Sequence, residues 1–295
     1  MNFVRVLTSL LSRLRRVDSI ETRAVYLQEA MGRIEARQTE NARTLREAEF
    51  RVFSQWGEDG IIQFLVRHVP IADKTFVEFG VQDYLESSTR FLVVKDHWSG
   101  LVIDGSAENV EKIRHSEIYW RHRLRAECAF ITRDNINDVI RSAGFAGDIG
   151  LLSVDIDGND YWVWQAVDVV KPRIVIAEYN ARFGAERAVS VPYDAQFVRG
   201  RAHYSMIYYG ASLAALTELG ETKGYALVGC NSAGNNAFFV RKDVLPAILP
   251  RVSAREAYVP ACFREARDPS GQLSFLSTED EQKLLETLPL VDLRS

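Results

Sequence analysis

The sequence predicts an α/β protein: a doubly wound, mostly parallel seven-stranded sheet ending in an antiparallel hairpin, preceded by an N-terminal helical arm. Three observations carry this. From about residue 54, short Val/Ile/Leu-rich runs alternate with helix-like stretches, and the runs are apolar on both faces, as the strands of a central parallel sheet must be. The last two runs, YALVGCN (225–231) and NAFFVRKD (236–243), are joined only by SAGN, and so short a link closes an antiparallel hairpin. The first fifty residues contain no proline and a single glycine, Gly32, and are rich in Arg, Glu, Ala, Leu and Gln.

In that arm (1–50), Val4, Leu7, Leu10, Leu11, Leu14 and Val17 recur at helical spacing, flanked by Arg5, Arg13, Arg15 and Arg16. A basic amphipathic helix of this kind can make peripheral contact with an anionic membrane surface. Leu27, Met31, Ile34 and Leu45 carry a fading heptad trace, so the arm can equally be half of a coiled coil in a homo-oligomer. It can also pack on its own domain. Arginines interrupt the apolar stretch and no small-residue cleavage site follows, which argues against a secretory signal. The arm is expected to be separable from the domain that follows.

The α/β domain (51–245) begins with a helix that Ser54 is placed to cap, running through Val69 with Glu58 and Asp59 in its first turns. The strand FVEFG (76–80), a helix over Ser87–Asp96, the strand GLVIDG (100–105) and a helix from near Ala107 follow. A third strand falls within Leu124–Ile131, then a helix over Ile136–Ala143, the most apolar strand IGLLSVDIDG (149–158), a helix over Trp162–Val170, and the strand RIVIAEYN (173–180) opened by Pro172. Residues 181–204 lack periodicity and read as a long loop or lid. Ala211–Lys223 reads as a helix ended by Gly224 ahead of the hairpin. The C-terminal extension (246–295) is expected to wrap the domain and to hold one helix from about Glu279 to Thr287, with Ser277 and Thr278 as cap candidates.

At 47% apolar and 26% charged residues, the 295-residue chain is composed as a globular protein, which excludes disorder, collagen-like repeats and disulfide miniproteins. Its net charge of −4 offers no basic field for nucleic acid. Cys128, Cys230 and Cys262 are scattered without a CxxC, and read as reduced core residues of a cytoplasmic protein. No apolar run approaches the roughly 20 residues of a membrane span.

Candidate chemistry gathers at the strand ends, where open α/β sheets bind ligands. Gly80 lets the backbone approach a ligand closely, and Glu78 is an acid just inside that turn. Asp104 ends the second strand roughly 20–25 residues further on, where a carboxylate can accept from both ribose hydroxyls of an adenosine-type ligand. SVDIDGNDYW (153–162) is the densest acidic cluster; Gly158 and Asn159 mark a turn there, and Glu178 and Asn180 end the next strand. Asp155, Asp157, Glu178 and Asn180 form a hard oxygen set suited to Mg²⁺ or Mn²⁺. A calcium-loop reading fails because Ala166 stands at the twelfth position. The absence of GxGxxG argues against a nicotinamide-dependent oxidoreductase, and no GxxxxGK[ST] is present. Gly210–Ala214 imitates a nucleophile elbow, yet His68, His97, His115, His122 and His203 all precede Ser212, which is better read as a helix cap.

The succession SQWGEDG (54–60), FVEFG, GLVIDG, LLSVDIDGNDYW, IVIAEYN and GASLAALTELGETKGYALVGC…NNAFFV resembles class I S-adenosylmethionine-dependent methyltransferases of the FkbM-like kind, over roughly residues 54–243. The run DGNDYW is also similar to the DGDxY segment of metal-dependent, macrocin-type sugar O-methyltransferases. The resemblance implies a Rossmann-like methyltransferase fold with S-adenosylmethionine as cofactor. It places Glu78 and Gly80 against the methionine part, Asp104 on the ribose, Ala129 and Phe130 beside the adenine, and Asp155 near the transferred methyl. The activity it implies is O-methylation of a sugar hydroxyl on a glycan or sugar-bearing metabolite, with Asp155 as base or a divalent ion lowering the hydroxyl pKa. Tyr161, Trp162, Tyr179, Tyr208 and Tyr209 could then wall a sugar ring. The competing reading is a non-catalytic scaffold that keeps the fold and assembles through its arm.

Overall fold

The computed structural model describes residues 20 and 22–294; the apolar stripe over Val4–Val17 and its arginines lie outside them. Helix α1 covers 22–38. Helices α2 (Leu45–Ala48) and α3 (Glu58–His68) lead to β1 (Thr75–Phe79). Then come α4 (Arg90–Asp96), β2 (Ser99–Asp104), α5 (Ala107–His115), α6 (Glu117–Arg121), β3 (Leu124–Cys128), α7 (Ile136–Ser142), β4 (Gly147–Val154), α8 (Asp160–Ala166) and β5 (Val170–Glu178). The chain continues through β6 (Val189–Ser190), α9 (Arg199–Ala202), α10 (Leu213–Thr222), β7 (Tyr225–Cys230) and β8 (Asn236–Arg241) to α11 (Ala254–Ala257), α12 (Thr278–Glu286) and β9 (Val291–Asp292).

Seven strands form one sheet in the order β3-β2-β1-β4-β5-β8-β7. β8 runs antiparallel to both β5 and β7, and the other pairings are parallel. This is the Rossmann-like methyltransferase arrangement that the sequence predicts. Strand order reverses between β1 and β4, so the crevice of the fold opens at their carboxyl ends. The period of two sends Phe76, Val102, Leu151, Ile174 and Ile176 to one core layer and Val77, Leu101, Leu152, Val175 and Ala177 to the other.

Several local expectations are corrected. Ser54 does not cap α3; Gly57, at φ +113°, occupies that place. The Ser54 N–H and hydroxyl instead donate to Asp59 Oδ2, both at 2.8 Å, joined by the N–H groups of Val52 and Phe53. One buried carboxylate oxygen thus gathers a whole turn, and burial pushes its pKa up to about 6. α8 ends at Ala166, and β5 begins at Val170, ahead of Pro172. The 181–204 segment is not an open loop, since β6 pairs with β9 and its apolar residues form a third small core with the C-terminal extension. Cys128 and Cys262 are exposed and so are not core residues, whereas Cys230 is half-buried and packs against the second core layer. Ser212 does cap α10, accepting from Ala215 N at 3.1 Å.

The described part of the arm is packed. Ala36, Leu45 and Ala48 are buried in the first core layer, and Arg33 Nη2 donates to Val94 O at 2.9 Å. The packed body therefore begins ahead of residue 51. The C-terminal extension is tied down by Tyr258, whose hydroxyl donates to Ala181 O at 2.7 Å, and by the Arg182–Glu281 ion pair at 2.7 Å. No helix among the described residues is long and apolar enough to cross a membrane.

Candidate functional site

Strand periodicity alone brings the acids together. Glu78 follows Phe76 on one face of β1, Ser153 follows Leu151 on β4, and Glu178 follows Ile174 and Ile176 on β5. Glu78 pairs in register with Ser153, and Val154 with Ala177, so Asp155, the first residue past β4, comes out between two strand-end glutamates. Asp155, Asp157 and Glu178 then offer carboxylate oxygens that all lie within 4.8 Å of one another.

The turn that aims them is built by a residue not singled out in the sequence. Asp160 is buried, and its two oxygens accept from Ile156 N at 2.8 Å and Gly158 N at 2.9 Å. This closes the chain after β4 into a tight loop with Asp157 at φ +56°, inside the left-handed region that a short polar side chain tolerates better than a branched one. Burial raises the Asp160 pKa to about 6 despite those two bonds.

Burial also raises the carboxyls of Asp155 and Glu178 well above the ordinary range, and the neighbouring acids add to it. One Glu178 oxygen, Oε2, is buried without a hydrogen-bond partner. The cation facing this cluster is Arg199. Its Nη1 lies 2.6 Å from Asp157 Oδ1, its Nη2 2.5 Å from Glu265 Oε2, and its guanidinium 3.8 Å from the centre of the Tyr209 ring. Glu265 is itself shared, accepting from Arg182 at 2.8 Å and from the Tyr209 hydroxyl at 3.1 Å. The C-terminal extension therefore supplies one wall of the site.

Two adjoining cavities meet here. The larger, about 500 Å³, contains the three acids, Arg199 and Glu265. The smaller, about 190 Å³, is lined by Asp104, Ala129, Phe130 and Ile131. Gly80, Gln82, Asp155 and Asp157 line both, and so form the partition between them. Ala129 N donates to Asp104 O at 3.0 Å, which fixes the Ala129–Phe130 turn beside the Asp104 carboxylate.

Each residue of the first two strand ends carries structural work as well. Gly80 has φ +71°, and a Cβ there would stand 1.9 Å from Asp155 O. The close approach that demands glycine is to the end of β4. Asp104 accepts from Gln82 N at 2.7 Å, Ser106 N at 2.8 Å and Asn109 Nδ2 at 3.1 Å, so it ties the β1 turn to β2. Glu78 accepts from Ser88 N at 2.8 Å and from both the N–H and the hydroxyl of Thr89, holding the start of α4, and burial pushes its pKa up to about 7.

Asn180 does not join the oxygen cluster. It is fully buried; its Nδ2 donates to Ile207 O at 2.8 Å and Tyr209 O at 3.1 Å, and its Oδ1 accepts from Arg182 N. An amide flanking a chain reversal satisfies local backbone more readily than a cation. The aromatic wall is also different. Tyr161, Tyr179, Tyr208 and Tyr209 are buried, with the Tyr179 hydroxyl on Val259 O and that of Tyr208 on Pro289 O, and Trp162 Nε1 donates to Val191 O. The larger cavity is bordered by Phe79 and by Trp56 and Phe263, which are stacked with centroids 5.1 Å apart and planes at 21°. Nothing local in the sequence pairs these two.

No family model and no curated protein matches the chain. Solved structures of similar shape include the N-terminal domain of EvdMO1 with SAH bound, at 11% identity over 62% of this chain and 79% of that one, TM-score 0.41. A putative O-methyltransferase from Klebsiella pneumoniae is 12% identical over 72% and 87%, TM-score 0.41. An S-adenosylmethionine-dependent methyltransferase from Clostridium acetobutylicum ATCC 824 is 11% identical over 62% and 89%, TM-score 0.40. Likeness this distant adds nothing to what the strand order already establishes.

Proposed function

We propose that the protein is an S-adenosylmethionine-dependent O-methyltransferase whose acceptor is a hydroxyl of a saccharide or sugar-bearing metabolite. The observation that carries this reading is the position of Asp155 on the wall shared by the two cavities. A group in the smaller cavity and a group in the larger one would meet at that carboxylate, as a methyl donor and its acceptor must. The family resemblance of residues 54–243 supports the same assignment.

The residues present fit the nucleoside end of the cofactor: an acceptor carboxylate, Asp104, faces an apolar surface made by Phe130 and Ile131. A carboxylate accepts about four hydrogen bonds, and Asn109, its most distant donor, is the one a ribose hydroxyl would replace. When bound, S-adenosylmethionine supplies a methyl group already activated on a sulfonium. The protein's share is alignment and proton removal. Asp155, on the wall shared by the two cavities, would take the acceptor's hydroxyl proton. The larger cavity offers that acceptor the exposed face of Trp56 and the side chains of Asn235, Asn236 and Arg264, a mixture suited to a sugar's apolar ring face and its hydroxyls.

Asp155, Asp157 and Glu178 also fit a hard divalent ion, on the evidence of their spacing and of the orphaned Glu178 oxygen. Mg²⁺ or Mn²⁺ held there would lower the pKa of a hydroxyl beside it. Calorimetry with S-adenosylmethionine, with and without Mg²⁺, tests the reading: saturable binding that weakens in Asp104→Ala is expected. No binding under either condition would leave a scaffold on this fold.

A further inference from the structure

The Glu58 carboxylate, in the first turn of α3, ties the segment before that helix to the β7–β8 hairpin. Its Oε2 accepts from Trp56 N at 2.9 Å, and its Oε1 accepts from Asn231 Nδ2 at 2.7 Å and Asn236 Nδ2 at 2.8 Å. Glu58, Asn231, Asn235 and Asn236 are all buried, at 1%, 0%, 3% and 7% exposure. Asn231 follows β7 and Asn236 opens β8, so the hairpin carries these amides to the sheet ends, where Asn236 pairs in register with Glu178.

These bonds leave each amide one orientation. Asn231 Oδ1 accepts from the N–H groups of Gly234, Asn235 and Asn236, at 3.2, 3.2 and 3.1 Å. Its nitrogen therefore points the other way, donating to Glu58 and, at 2.8 Å, to Asn235 Oδ1. An ionised carboxylate only accepts, so Asn236 must turn its nitrogen toward Glu58. Asn235 has thus used its oxygen and Asn236 its nitrogen. Left without a partner among the described residues are Asn235 Nδ2, a donor, and Asn236 Oδ1, an acceptor, and both residues line the larger cavity.

We propose that this amide pair, with Trp56 beside it, is a subsite that selects an uncharged sugar ring and discriminates against both a carboxylate and an ammonium group. The inference rests on the reading of the larger cavity as the acceptor's place. A sugar hydroxyl both donates and accepts, so two neighbouring hydroxyls satisfy both amides while the apolar ring face covers Trp56. A carboxylate has no hydrogen for Asn236, and an ammonium has no lone pair for Asn235. Either one leaves a buried polar atom unpaired, which is worth about tenfold or more in affinity. The arginines at this cavity offer an anion little in exchange. Arg199 is bound to Asp157 and Glu265, and the Arg264 guanidinium lies over the Phe275 ring, 5.4 Å from its centre. Glu58 is the positioning residue, because it decides which end of each amide the sugar encounters.

The test is saturation-transfer NMR titration of the full chain with the methyl glycosides of glucose, galactose and mannose, each beside its uronate and its amino analogue. At least one uncharged glycoside is expected to bind, about tenfold or more tighter than its two charged analogues. Asn235→Asp keeps the bond from Asn231 and turns a second acceptor to the cavity, so it should reverse the order in favour of the amino sugar. Glu58→Gln should weaken the uncharged glycoside by about tenfold, since its new N–H groups must oppose either Trp56 N or the two asparagine nitrogens. Urea unfolding of both variants checks that the fold persists. No glycoside bound, a uronate bound as tightly as its uncharged parent, or an Asn235→Asp variant that keeps the wild-type order would overturn the inference. Unchanged binding in Glu58→Gln would remove Glu58 from it. Calorimetry with S-adenosylmethionine on the same samples keeps the two failures apart. Cofactor binding without the expected sugar order overturns the subsite alone, whereas absent cofactor binding overturns the reading on which it rests.

Discussion

Arg199 donates from Nη1 to Asp157 Oδ1 at 2.6 Å and in doing so stands as the resident cation of a three-carboxylate cluster. Its other terminal nitrogen is bound to Glu265, so it couples the acids at the sheet ends to the C-terminal extension. Any divalent ion that binds Asp157 must compete with this contact.

Arg199→Ala should therefore raise affinity for Mn²⁺, on the order of tenfold, by removing a neighbouring positive charge. It should also destabilise the fold by about 2–3 kcal/mol, because the half-buried Glu265 loses a partner. Manganese titration followed by electron paramagnetic resonance, and urea unfolding, read the two effects separately. Unchanged Mn²⁺ affinity would take Asp157 out of the metal set.

Chelation separates the two roles open to Asp155. EDTA should abolish methyl transfer from radiolabelled S-adenosylmethionine to a saccharide acceptor, Mg²⁺ or Mn²⁺ should restore it, and cofactor binding should survive. Asp155→Asn should cost roughly 10²–10⁴ in rate. Activity that ignores EDTA but falls in Asp155→Asn would make Asp155 a metal-free base. Full activity in both Asp155→Asn and Glu178→Gln would remove the cluster from the chemistry.

Gly80→Ala should destabilise the protein by at least about 2 kcal/mol, combining an unfavourable positive φ with a Cβ pressed into Asp155 O. Urea denaturation measures it. An alanine accommodated at little cost would show that the β1 and β4 ends move apart easily, and the partition between the two cavities with them.

Glu78 predicts a pH effect with a definite sign. Its folded pKa, about 7, lies above the ordinary 4.5 because burial disfavours the charged form. The folded state thus binds the proton more tightly than the unfolded chain. The corresponding stability is present below about pH 4.5 and is lost as pH rises through 7, by about 3 kcal/mol at most. Glu78→Gln carries no charge to titrate, so its advantage over wild type should grow from about pH 5 to pH 8 in urea unfolding. Parallel pH profiles for the two proteins would mean that Glu78 ionises freely in the fold.

Much of the candidate site was legible because it rests on short-range rules. Glu78, Asp104, Asp155 and Glu178 each end a strand that hydrophobic runs reveal. Given the chain order of an α/β sheet, the ends of β1, β4 and β5 have to be neighbours. Gly80 was legible as a special position, yet its reason was not, since the oxygen it avoids belongs to a strand more than seventy residues later. Asn180 misled because its side-chain type suits a cation and a backbone turn equally, and only the carbonyls of Ile207 and Tyr209 choose between them.

By itself, then, the sequence determined the alternation of strands and helices, the antiparallel hairpin and the acids at the strand ends. Each follows from the apolar period, from a link too short for any other connection, or from a residue's distance from the end of a run. Only the tertiary structure decided which cation faces those acids, which aromatic pair borders the larger cavity, and which tyrosines are core. Arg199 with Glu265 and Trp56 with Phe263 are contacts between segments far apart in the chain. No local period links such residues, and they meet only once the sheet and the C-terminal extension have packed around the same crevice.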